Sequence, residues 1–325
     1  MKIAILGAGS WGTTLANLLT ENNPKDEVIL WARENEVIST IQDKRENIQY
    51  LPGVRLSSKL KVTGSLNDAL SKAEIIVTAI PSQFLRQTAK QISPLVKSPT
   101  IMNVAKGIEL HSFKRMSEVL KEEIPQAKIA VLSGPNHAEE VSRKILTATV
   151  IASETADLEL LKKLFDTDYF KVYKHDDVIG LEIAGAVKNI TAIATGIIAG
   201  LGMGDNATGS LVTLGLREMI RVGRHLGARE ETFYGLAGVG DLVATCTSQH
   251  SRNRKAGLLI AKGLDSEAIQ KEMRGMVAEG IFTCKALHEF AERENLNLPL
   301  TTQMYRVLFE KKKLKDAIKD LKELI

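Results

Sequence analysis

One short segment near the start of the chain restricts its fold more than any other feature. The apolar run KIAIL leads directly into the hexapeptide GAGSWG of residues 7–12, and the helical pattern TTLANLL follows. A GxGxxG pattern carries little information alone, but between a strand and a helix it is typical of a dinucleotide-binding loop. Gly7 permits a tight turn, Gly9 lets the backbone approach a pyrophosphate, and Gly12 lets the helix pack closely on the strand. The free amides at the start of the helix would bind the phosphates.

A nucleoside-triphosphate P-loop is the principal alternative for this segment, because Gly7 and Gly12 have its spacing. That motif requires Lys and then Ser or Thr directly after the second glycine. The chain has Thr13 and Thr14 there. The sequence therefore favours a dinucleotide over a nucleoside triphosphate.

The residues after the second predicted strand bear on the choice of dinucleotide. An NAD site usually has an acidic residue at this point, which binds the 2′-hydroxyl of the ribose. Here Ala32 and Arg33 follow VILW, and a guanidinium can pair with the 2′-phosphate of NADP. The adjoining Glu34 can still serve a ribose. We therefore expect NADP or NAD as the cofactor, with NADPH favoured.

The order of strand-like and helical segments predicts the fold class. The runs KIAIL, EVILW, EIIVTAI, TIMNVA, KIAVL and TATVIA are continuously apolar, as in a parallel sheet buried on both faces, and helical patterns separate most of them. After FKVYKHDD, residues 170–177, only helical patterns remain. We predict a Rossmann-like α/β domain that binds NAD(P) over residues 1–178, followed by an all-α substrate-binding and catalytic domain over residues 179–325.

The composition narrows the class of protein. The chain has 325 residues, of which 44% are hydrophobic and 25% charged, with a net charge of +4. These are ordinary values for a globular protein. The small positive charge suits an anionic small substrate and does not predict nucleic-acid binding. RNA contact is an alternative role for the basic residues 251–255, but no set of aromatic residues that would stack on bases lies beside them, and only 5% of the chain is aromatic.

Cysteine and histidine usage argues against several other classes. Cys246 and Cys284 lie far apart and in no paired motif, which favours a reducing compartment over a disulfide framework or structural zinc. The six histidines are dispersed, so we expect no metal site. No apolar run reaches the roughly 18 to 20 residues of a membrane span, and glycines interrupt the N-terminal stretch that an export signal would need. We expect a cytoplasmic protein.

Groups suited to a redox reaction occur at several places. A nicotinamide enzyme needs a proton donor and cationic anchors for its substrate. Lys106 and Gly134 follow two predicted strands, at the sheet edge where open α/β folds bind ligands. Lys188 lies in the almost wholly apolar segment LEIAGAVKNITAIATG, among small residues at helical spacing. Those small residues leave room for a ligand or for another helix, and the pattern does not decide between the two.

A second group of polar residues follows in the predicted helical domain. Gly238 and Gly240 provide a flexible approach to Asp241. Residues 251–255, SRNRK, combine cations with hydrogen-bond donors, a composition suited to phosphate. Taken alone, this basic cluster is also compatible with a solvated helix start.

Together these motifs resemble the bacterial type of NAD(P)-dependent glycerol-3-phosphate dehydrogenase. The resemblance covers essentially the whole chain and rests on the order and spacing of GAGSWGTTLA, LWAR, YLPGV, AKGIE, SGP, GAVKNI, GLAGVGDL, SRNRKAG and MVAEG. Members of that family reduce dihydroxyacetone phosphate to glycerol 3-phosphate, the backbone precursor of phospholipids. The resemblance therefore implies an oxidoreductase with a small phosphorylated three-carbon substrate.

The resemblance also implies roles for individual residues. Lys188 would be the general acid/base, supplying a proton as hydride reaches the carbonyl carbon. Besides the three glycines, the residues implied to contact the cofactor are Ser10, Trp11, Arg33, Lys106, Ala138, Arg252, Val277 and Glu279. The residues implied to surround the substrate are Lys106, Gly134, Lys188, Asp241, Ser251, Arg252 and Asn253. Asn136 departs from the family pattern of Ser or Thr after GP, and we assign it no role.

Two other functions stay open at this stage. One is a related two-domain dehydrogenase of the 6-phosphogluconate or 3-hydroxyisobutyrate type, which shares the glycine loop and a helix lysine. SRNRKAG and GLAGVGDL argue against it. The other is a nicotinamide-nucleotide-binding protein without catalysis, which the presence of Lys106, Lys188 and Asp241 together disfavours. The sequence leaves open whether the chain forms a homodimer.

Overall fold

The computed structural model describes residues 1–264, 266–273 and 277–323. These residues form two compact units, one of Met1–Ala105 with Met116–Val178 and the other of Lys106–Arg115 with Ile179–Ile325. The segment 106–115 thus groups with the helices, whereas the sequence placed it in the α/β domain. The reason is that Ile108 and Phe113 are buried in the hydrophobic core of the helical unit.

The first unit is built on one sheet, whose strands within the described residues are β1 (Lys2–Leu6), β2 (Glu27–Trp31), β3 (Lys61–Thr63), β4 (Ile75–Thr78), β5 (Thr100–Asn103), β6 (Lys128–Ser133), β7 (Thr147–Ser153) and β8 (Phe170–His175). Their order across the sheet is β3-β2-β1-β4-β5-β6-β7-β8. All neighbouring pairs are parallel except β6 with β7. The predicted α/β domain followed by a helical domain is confirmed.

Two strands were absent from the six apolar runs of the sequence. β3 has only three residues and none of them is buried, so it has no apolar run to detect. β8 has only two buried residues, Phe170 and Val172, in alternation with partly or fully exposed ones, because it lies at the edge of the sheet. The antiparallel pairing of β7 also departs from the expected parallel arrangement.

The sheet is covered on both faces, which explains its continuously apolar strands. In β1, Ile3 and Ile5 belong to one core cluster, whereas Ala4 and Leu6 belong to another, as the two-residue period of a strand requires. The helices of this unit are α1 (Ser10–Asn22), α2 (Asn35–Lys44), α3 (Leu66–Leu70), α4 (Ser82–Ile92), α5 (Met116–Glu123), α6 (Ala138–Val141) and α7 (Leu158–Phe165). A 3₁₀ turn, Ser93–Leu95, follows α4.

The second unit is helical. Its described helices are α8 (Val178–Gly200), α9 (Gly204–His225), α10 (Glu230–Tyr234), α11 (Asp241–Thr247), α12 (Arg252–Ala261), α13 (Ser266–Glu272), α14 (Glu279–Arg293), α15 (Pro299–Phe309) and α16 (Leu314–Lys322), with a π-helical turn over Leu236–Gly240. α8 has the length and composition of a membrane span, but 89% of its most apolar window is buried inside the protein. It is therefore the core helix of this unit.

Candidate active site

The glycine loop joins β1 to the N-terminus of α1 and is shaped by contacts that only glycine allows. Gly7 has a left-handed backbone with φ of +109°. A Cβ at Gly12 would lie 1.9 Å from the carbonyl oxygen of Gly7, whereas a Cβ at Gly9 would meet nothing within 4 Å. The turn and the close packing predicted for these glycines are therefore present, and the open side of Gly9 leaves space for a ligand.

Two further observations around this loop suit a bound dinucleotide. The N-cap residue of α1 is Gly9, so no side chain caps the first amides of the helix. Within residues 1–264, 266–273 and 277–323, the indole Nε1 of Trp11 is one of four buried side-chain polar atoms without a hydrogen-bond partner. Such an atom ordinarily finds an acceptor, which a phosphate or ribose would supply.

The other residues assigned to the α/β unit lie after the strand ends. Gly134 follows β6 with φ of +132° and packs against Thr149. Ala138 begins α6 and is buried, and its carbonyl oxygen accepts a hydrogen bond from Thr14 Oγ1 of α1 at 3.3 Å. Ala138 is thus brought to the helix of the glycine loop. Asn136, which had no assigned role, donates to Thr149 Oγ1 at 2.9 Å.

Arg33 lies two residues beyond the end of β2, as predicted. Its side chain is 77% exposed and pairs with the carboxylate of Glu34 at 3.0 Å. An exposed pair of this kind holds its partners only weakly. The guanidinium is therefore available to a 2′-phosphate, and the carboxylate to a ribose hydroxyl.

The helical unit places two lysines on one buried carboxylate. Nζ of Lys188 lies 2.5 Å from Oδ1 of Asp241, and Nζ of Lys106 lies 2.9 Å from its Oδ2. Thr245 Oγ1, one helical turn after Asp241, lies 2.6 Å from Nζ of Lys188. Lys188 and Asp241 are 4% and 1% exposed. Two ammonium groups on one carboxylate leave an excess positive charge, which suits an anionic substrate.

Burial and the neighbouring charges control the ionisation of this cluster. Burial lowers the pKa of Lys188 to about 8, with Asp241 opposing that shift and Lys106 reinforcing it. Burial alone would raise the pKa of Asp241, but the two ammonium groups together hold it below its ordinary value. Lys188 can therefore carry or release a proton near neutral pH, while Asp241 stays ionised.

The SRNRK segment forms the start of α12, which packs closely on α8. Ser251 is the N-cap, and its hydroxyl accepts from the backbone N–H of Arg254. A Cβ at Gly196 of α8 would lie 2.1 Å from the carbonyl oxygen of Arg254. Asn253 Nδ2 donates to Oδ1 of Asn189, the residue beside Lys188, at 2.8 Å. The structure thus brings the start of α12 to the part of α8 that carries Lys188.

The remaining cofactor candidates are at the start of α14. Glu279 is its first residue, and Val277 precedes it, both half-buried. Met276, the first residue of MVAEG, lies outside the described residues. Across the described ranges, no group of His, Cys, Asp or Glu side chains could hold a metal ion.

Sequence reasoning assigned no role to two residues that contact the cluster in the structure. Thr245 contacts Nζ of Lys188, and Asn189 contacts the backbone carbonyl oxygen of Lys106. Thr245 stands four positions after Asp241 on α11, so helical spacing could have found it. Asn189 directly follows Lys188, but neighbouring positions on a helix do not share a face, and its contacts depend on tertiary packing. Its relevance could not be read from the segment alone.

Comparisons with known proteins show which family this chain matches. The model of the NAD-dependent glycerol-3-phosphate dehydrogenase N-terminus matches residues 2–159, and the model of the C-terminus of the same family matches residues 177–319. A protein of Chlorobium phaeobacteroides named as an NAD(P)+ glycerol-3-phosphate dehydrogenase is 49% identical, over 99% of this chain and 97% of its own.

Solved structures give the same result. A glycerol-3-phosphate dehydrogenase crystal structure from Coxiella burnetii matches with a TM-score of 0.94 and 38% identity, covering 99% of this chain and 98% of that one. D-Mandelate dehydrogenase, solved with NADH, matches with a TM-score of 0.60 at 15% identity, over 96% and 98% of the two chains. The second likeness shows a shared fold alone.

Proposed function

The chain belongs to the NAD-dependent glycerol-3-phosphate dehydrogenase family, and we propose that it interconverts dihydroxyacetone phosphate and sn-glycerol 3-phosphate with NAD(P)H. It is an NAD(P)-dependent oxidoreductase. The buried cluster of Lys188, Asp241 and Lys106 is the observation on which we base its chemistry. Its product would supply glycerol 3-phosphate for phospholipid synthesis.

The glycine loop is the proposed cofactor site. Its helix amides, the open side of Gly9 and the unpaired Nε1 of Trp11 fit a dinucleotide pyrophosphate and ribose. When bound, the nicotinamide supplies or accepts the hydride. The other residues we assign to the cofactor are Gly7, Ser10, Gly12, Arg33, Lys106, Ala138, Arg252, Val277 and Glu279. The exposed Arg33 supports NADPH, and its partner Glu34 supports NADH as well.

Lys188 is the proposed proton donor. As an ammonium group, it would protonate the carbonyl oxygen and stabilise the negative charge that develops there. In the oxidation of glycerol 3-phosphate, it must begin as a neutral amine, and a pKa of about 8 makes both forms accessible near neutral pH. Asp241 and Thr245 hold Nζ in place through hydrogen bonds.

Phosphate recognition is the second proposed role of this site. The residues we assign to the substrate are Lys106, Gly134, Lys188, Asp241, Ser251, Arg252 and Asn253. Arg252 stands at the start of α12, where its planar guanidinium can bind two phosphate oxygens at once. The small phosphorylated substrate follows from the family, and the residue assignments rest on the motif resemblance and the local geometry.

We also propose a location for the protein. Both cysteines are buried free thiols, which supports a reducing compartment and hence the cytoplasm. Neither a nucleic-acid partner nor a membrane span is part of the proposed function. The sequence leaves open whether the chain forms a homodimer, and light scattering coupled to gel filtration would test this.

One assay tests the reaction. The purified protein is mixed with dihydroxyacetone phosphate and either NADH or NADPH, and the loss of nicotinamide absorbance is followed. Turnover with either cofactor supports the proposal. Turnover only with 6-phosphogluconate or 3-hydroxyisobutyrate, assayed in the oxidative direction, would identify the related hydroxy-acid class instead. Nicotinamide binding without turnover of any of these substrates would identify a binding protein.

A further inference from the structure

Two asparagine side chains connect separate segments of the helical unit through one series of hydrogen bonds. The backbone N–H of Gly280 donates to Oδ1 of Asn253 at 2.9 Å, and Nδ2 of Asn253 donates to Oδ1 of Asn189 at 2.8 Å. Nδ2 of Asn189 donates to the carbonyl oxygens of Gly185 at 3.1 Å and Lys106 at 3.3 Å. We call this series the amide relay.

The two side-chain amides of the relay can each adopt only one orientation. α14 begins at Glu279, and its N-cap residue, Ala278, has no side chain that can accept from the first amides. Asn253 supplies that acceptor, and turning its amide round would direct an NH₂ group at an N–H. Turning the amide of Asn189 would set its oxygen against two carbonyl oxygens. Both asparagines are buried, so either reversal would leave polar groups unpaired at considerable cost.

Close packing leaves the relay little freedom. A Cβ at Gly280 would lie 2.6 Å from the carbonyl oxygen of Asn189 and 2.9 Å from Oδ1 of Asn253. The backbone at the start of α14 therefore touches α8 directly. A shift of one asparagine cannot be absorbed by empty space around it.

Both amide hydrogens of Asn189 are used within the protein. Its two amide hydrogens serve the carbonyl oxygens of Gly185 and Lys106, and its oxygen accepts from Asn253. The segments that it joins carry Lys106, Arg252 beside Asn253, and Glu279 at the start of α14. Asn189 also directly follows Lys188.

We propose that Asn189 is a positioning residue for the reaction, acting through the backbone of Lys106 and the amide of Asn253. The inference rests on the proposed function, because it concerns the same site. Asn189 itself has no hydrogen left to donate to a substrate. It sets where the second ammonium group stands beside Asp241 and how the start of α12 faces the substrate.

The first test compares Asn189→Ala with the wild-type protein. We expect kcat/KM for dihydroxyacetone phosphate to fall on the order of 30-fold, with both kcat and KM affected, because small displacements of reacting groups are costly. Asn206→Ala, at an exposed asparagine of α9, is the control and should match the wild type. Activity of Asn189→Ala within twofold of the wild type would overturn the inference.

A pH profile separates positioning from general destabilisation. The charged and titratable groups that act on Lys188 are Asp241, Lys106 and Cys246, and burial holds the thiol of Cys246 neutral, with a pKa of about 12. Displacing the Lys106 ammonium would remove a positive charge that lowers the pKa of Lys188. In glycerol 3-phosphate oxidation, kcat should rise with pH as Lys188 loses its proton. In Asn189→Ala, this rise should therefore occur at higher pH, by roughly 0.5 pH units or more.

If the variant has a lower melting temperature and less activity, but the rise of kcat with pH occurs at the same pH as in the wild type, then Asn189 is merely structural. Asn189→Leu provides a second variant if the alanine protein does not fold, because leucine is similar in size but cannot form the relay. The same shift in the pH dependence of kcat is expected for it. Turnover by the wild-type protein judges the proposed function separately. If the wild type is active and the Asn189 variants behave identically to it, the positioning role is rejected and the proposed function stands.

Discussion

The two units build their candidate sites by opposite means. In the α/β unit, the glycine loop depends on side chains that are absent: Gly12 packs where a Cβ would lie 1.9 Å from a carbonyl oxygen, and Gly9 faces open space. The groups that we propose to bind its ligand are backbone amides. In the helical unit, the site consists of long charged side chains that meet in a buried environment, with Lys188 and Lys106 on Asp241.

This difference predicts how each site responds to mutation. A backbone-built loop should be damaged by adding a single methyl group and should tolerate the removal of nearby side chains. A side-chain cluster should be damaged by removal, because its chemistry resides in the groups removed.

Removal of Lys188 tests the side-chain site most directly. We expect Lys188→Ala to lower kcat by about 100-fold or more, the usual scale for losing a general acid. The Kd for the cofactor should change little, because Lys188 is not among the residues that we assign to the cofactor. Lys262→Ala, at an exposed lysine, is the control, and steady-state kinetics with cofactor titration measure both quantities. A kcat within a few-fold of the wild type would show that the proton comes from elsewhere.

Addition of a methyl group tests the backbone site. Gly12→Ala should destabilise the protein by about 3 kcal/mol, because its Cβ overlaps a backbone oxygen that cannot move freely. Gly9→Ala is the matched variant: its Cβ meets no protein atom, so the stability should be retained while cofactor binding weakens through contact with the phosphates. Thermal unfolding and cofactor titration separate the two. Equal effects from both substitutions would contradict the proposed geometry of the loop.

Replacement of Arg252 by lysine keeps the charge and removes the planar fork. We expect Arg252→Lys to lower kcat/KM for dihydroxyacetone phosphate by roughly 10-fold to 100-fold, the value of a charge-assisted bond. The loss for unphosphorylated dihydroxyacetone should be much smaller, because that molecule has no phosphate to bind. kcat should fall along with affinity, since phosphate binding also orients the carbonyl. The same loss for both substrates would assign Arg252 to the cofactor or to the fold.

Removal of Arg33 tests an exposed charged side chain of the α/β unit that we assign to the cofactor. Arg33→Ala should weaken NADPH more than NADH. The guanidinium is 77% exposed, so solvent screening limits the expected difference to about 1 kcal/mol, or roughly fivefold in Kd. Parallel titrations with the two cofactors measure it, and Glu34→Ala should have the converse preference. Equal losses for both cofactors would mean that Arg33 supports the loop without contacting the 2′-phosphate.

The same contrast explains what could be predicted from the sequence. The glycine loop lies within six consecutive residues between a strand and a helix, so its geometry is local and readable. Lys188 and Asp241 are 53 positions apart, and only the packing of the helices brings them together. Their association was implied by motif resemblance, whereas the burial that lowers the pKa of Lys188 needed coordinates.

Segments whose sequence carries only a weak pattern of secondary structure were predicted less well. β3 has no buried residue, and its place in the sheet depends on pairing with β2. The segment 106–115 has no helical or strand pattern of its own, and it joins the helical unit because Phe113 stacks on Phe290 at 3.8 Å and Arg115 pairs with the buried Glu182. Tertiary contacts of this kind leave no periodic trace in a sequence.

Glu218 provides the smallest expected effect on catalysis, because it is a buried charge of the helical unit outside the proposed site. Its carboxylate on α9 accepts from the backbone N–H groups of Leu300 and Thr301 and from the Thr301 hydroxyl, at the start of α15. Burial raises the pKa of Glu218 to about 7, against these hydrogen bonds. The folded protein therefore retains a proton that the unfolded chain loses at lower pH.

The sign of the pH dependence follows from that difference. Because the folded-state pKa is raised, the contribution of Glu218 to the free energy of unfolding is most favourable below the ordinary carboxyl pKa. It is lost as the pH rises from there through about 7, on the order of 3 kcal/mol in all. Glu218→Gln cannot ionise, so the difference between variant and wild type across roughly pH 5 to 8 isolates this contribution in urea unfolding curves. The kcat of the variant should stay within about twofold of the wild type. A large fall in kcat without a change in the pH slope would mean that burial of charge in the helical unit serves catalysis well beyond the cluster around Asp241.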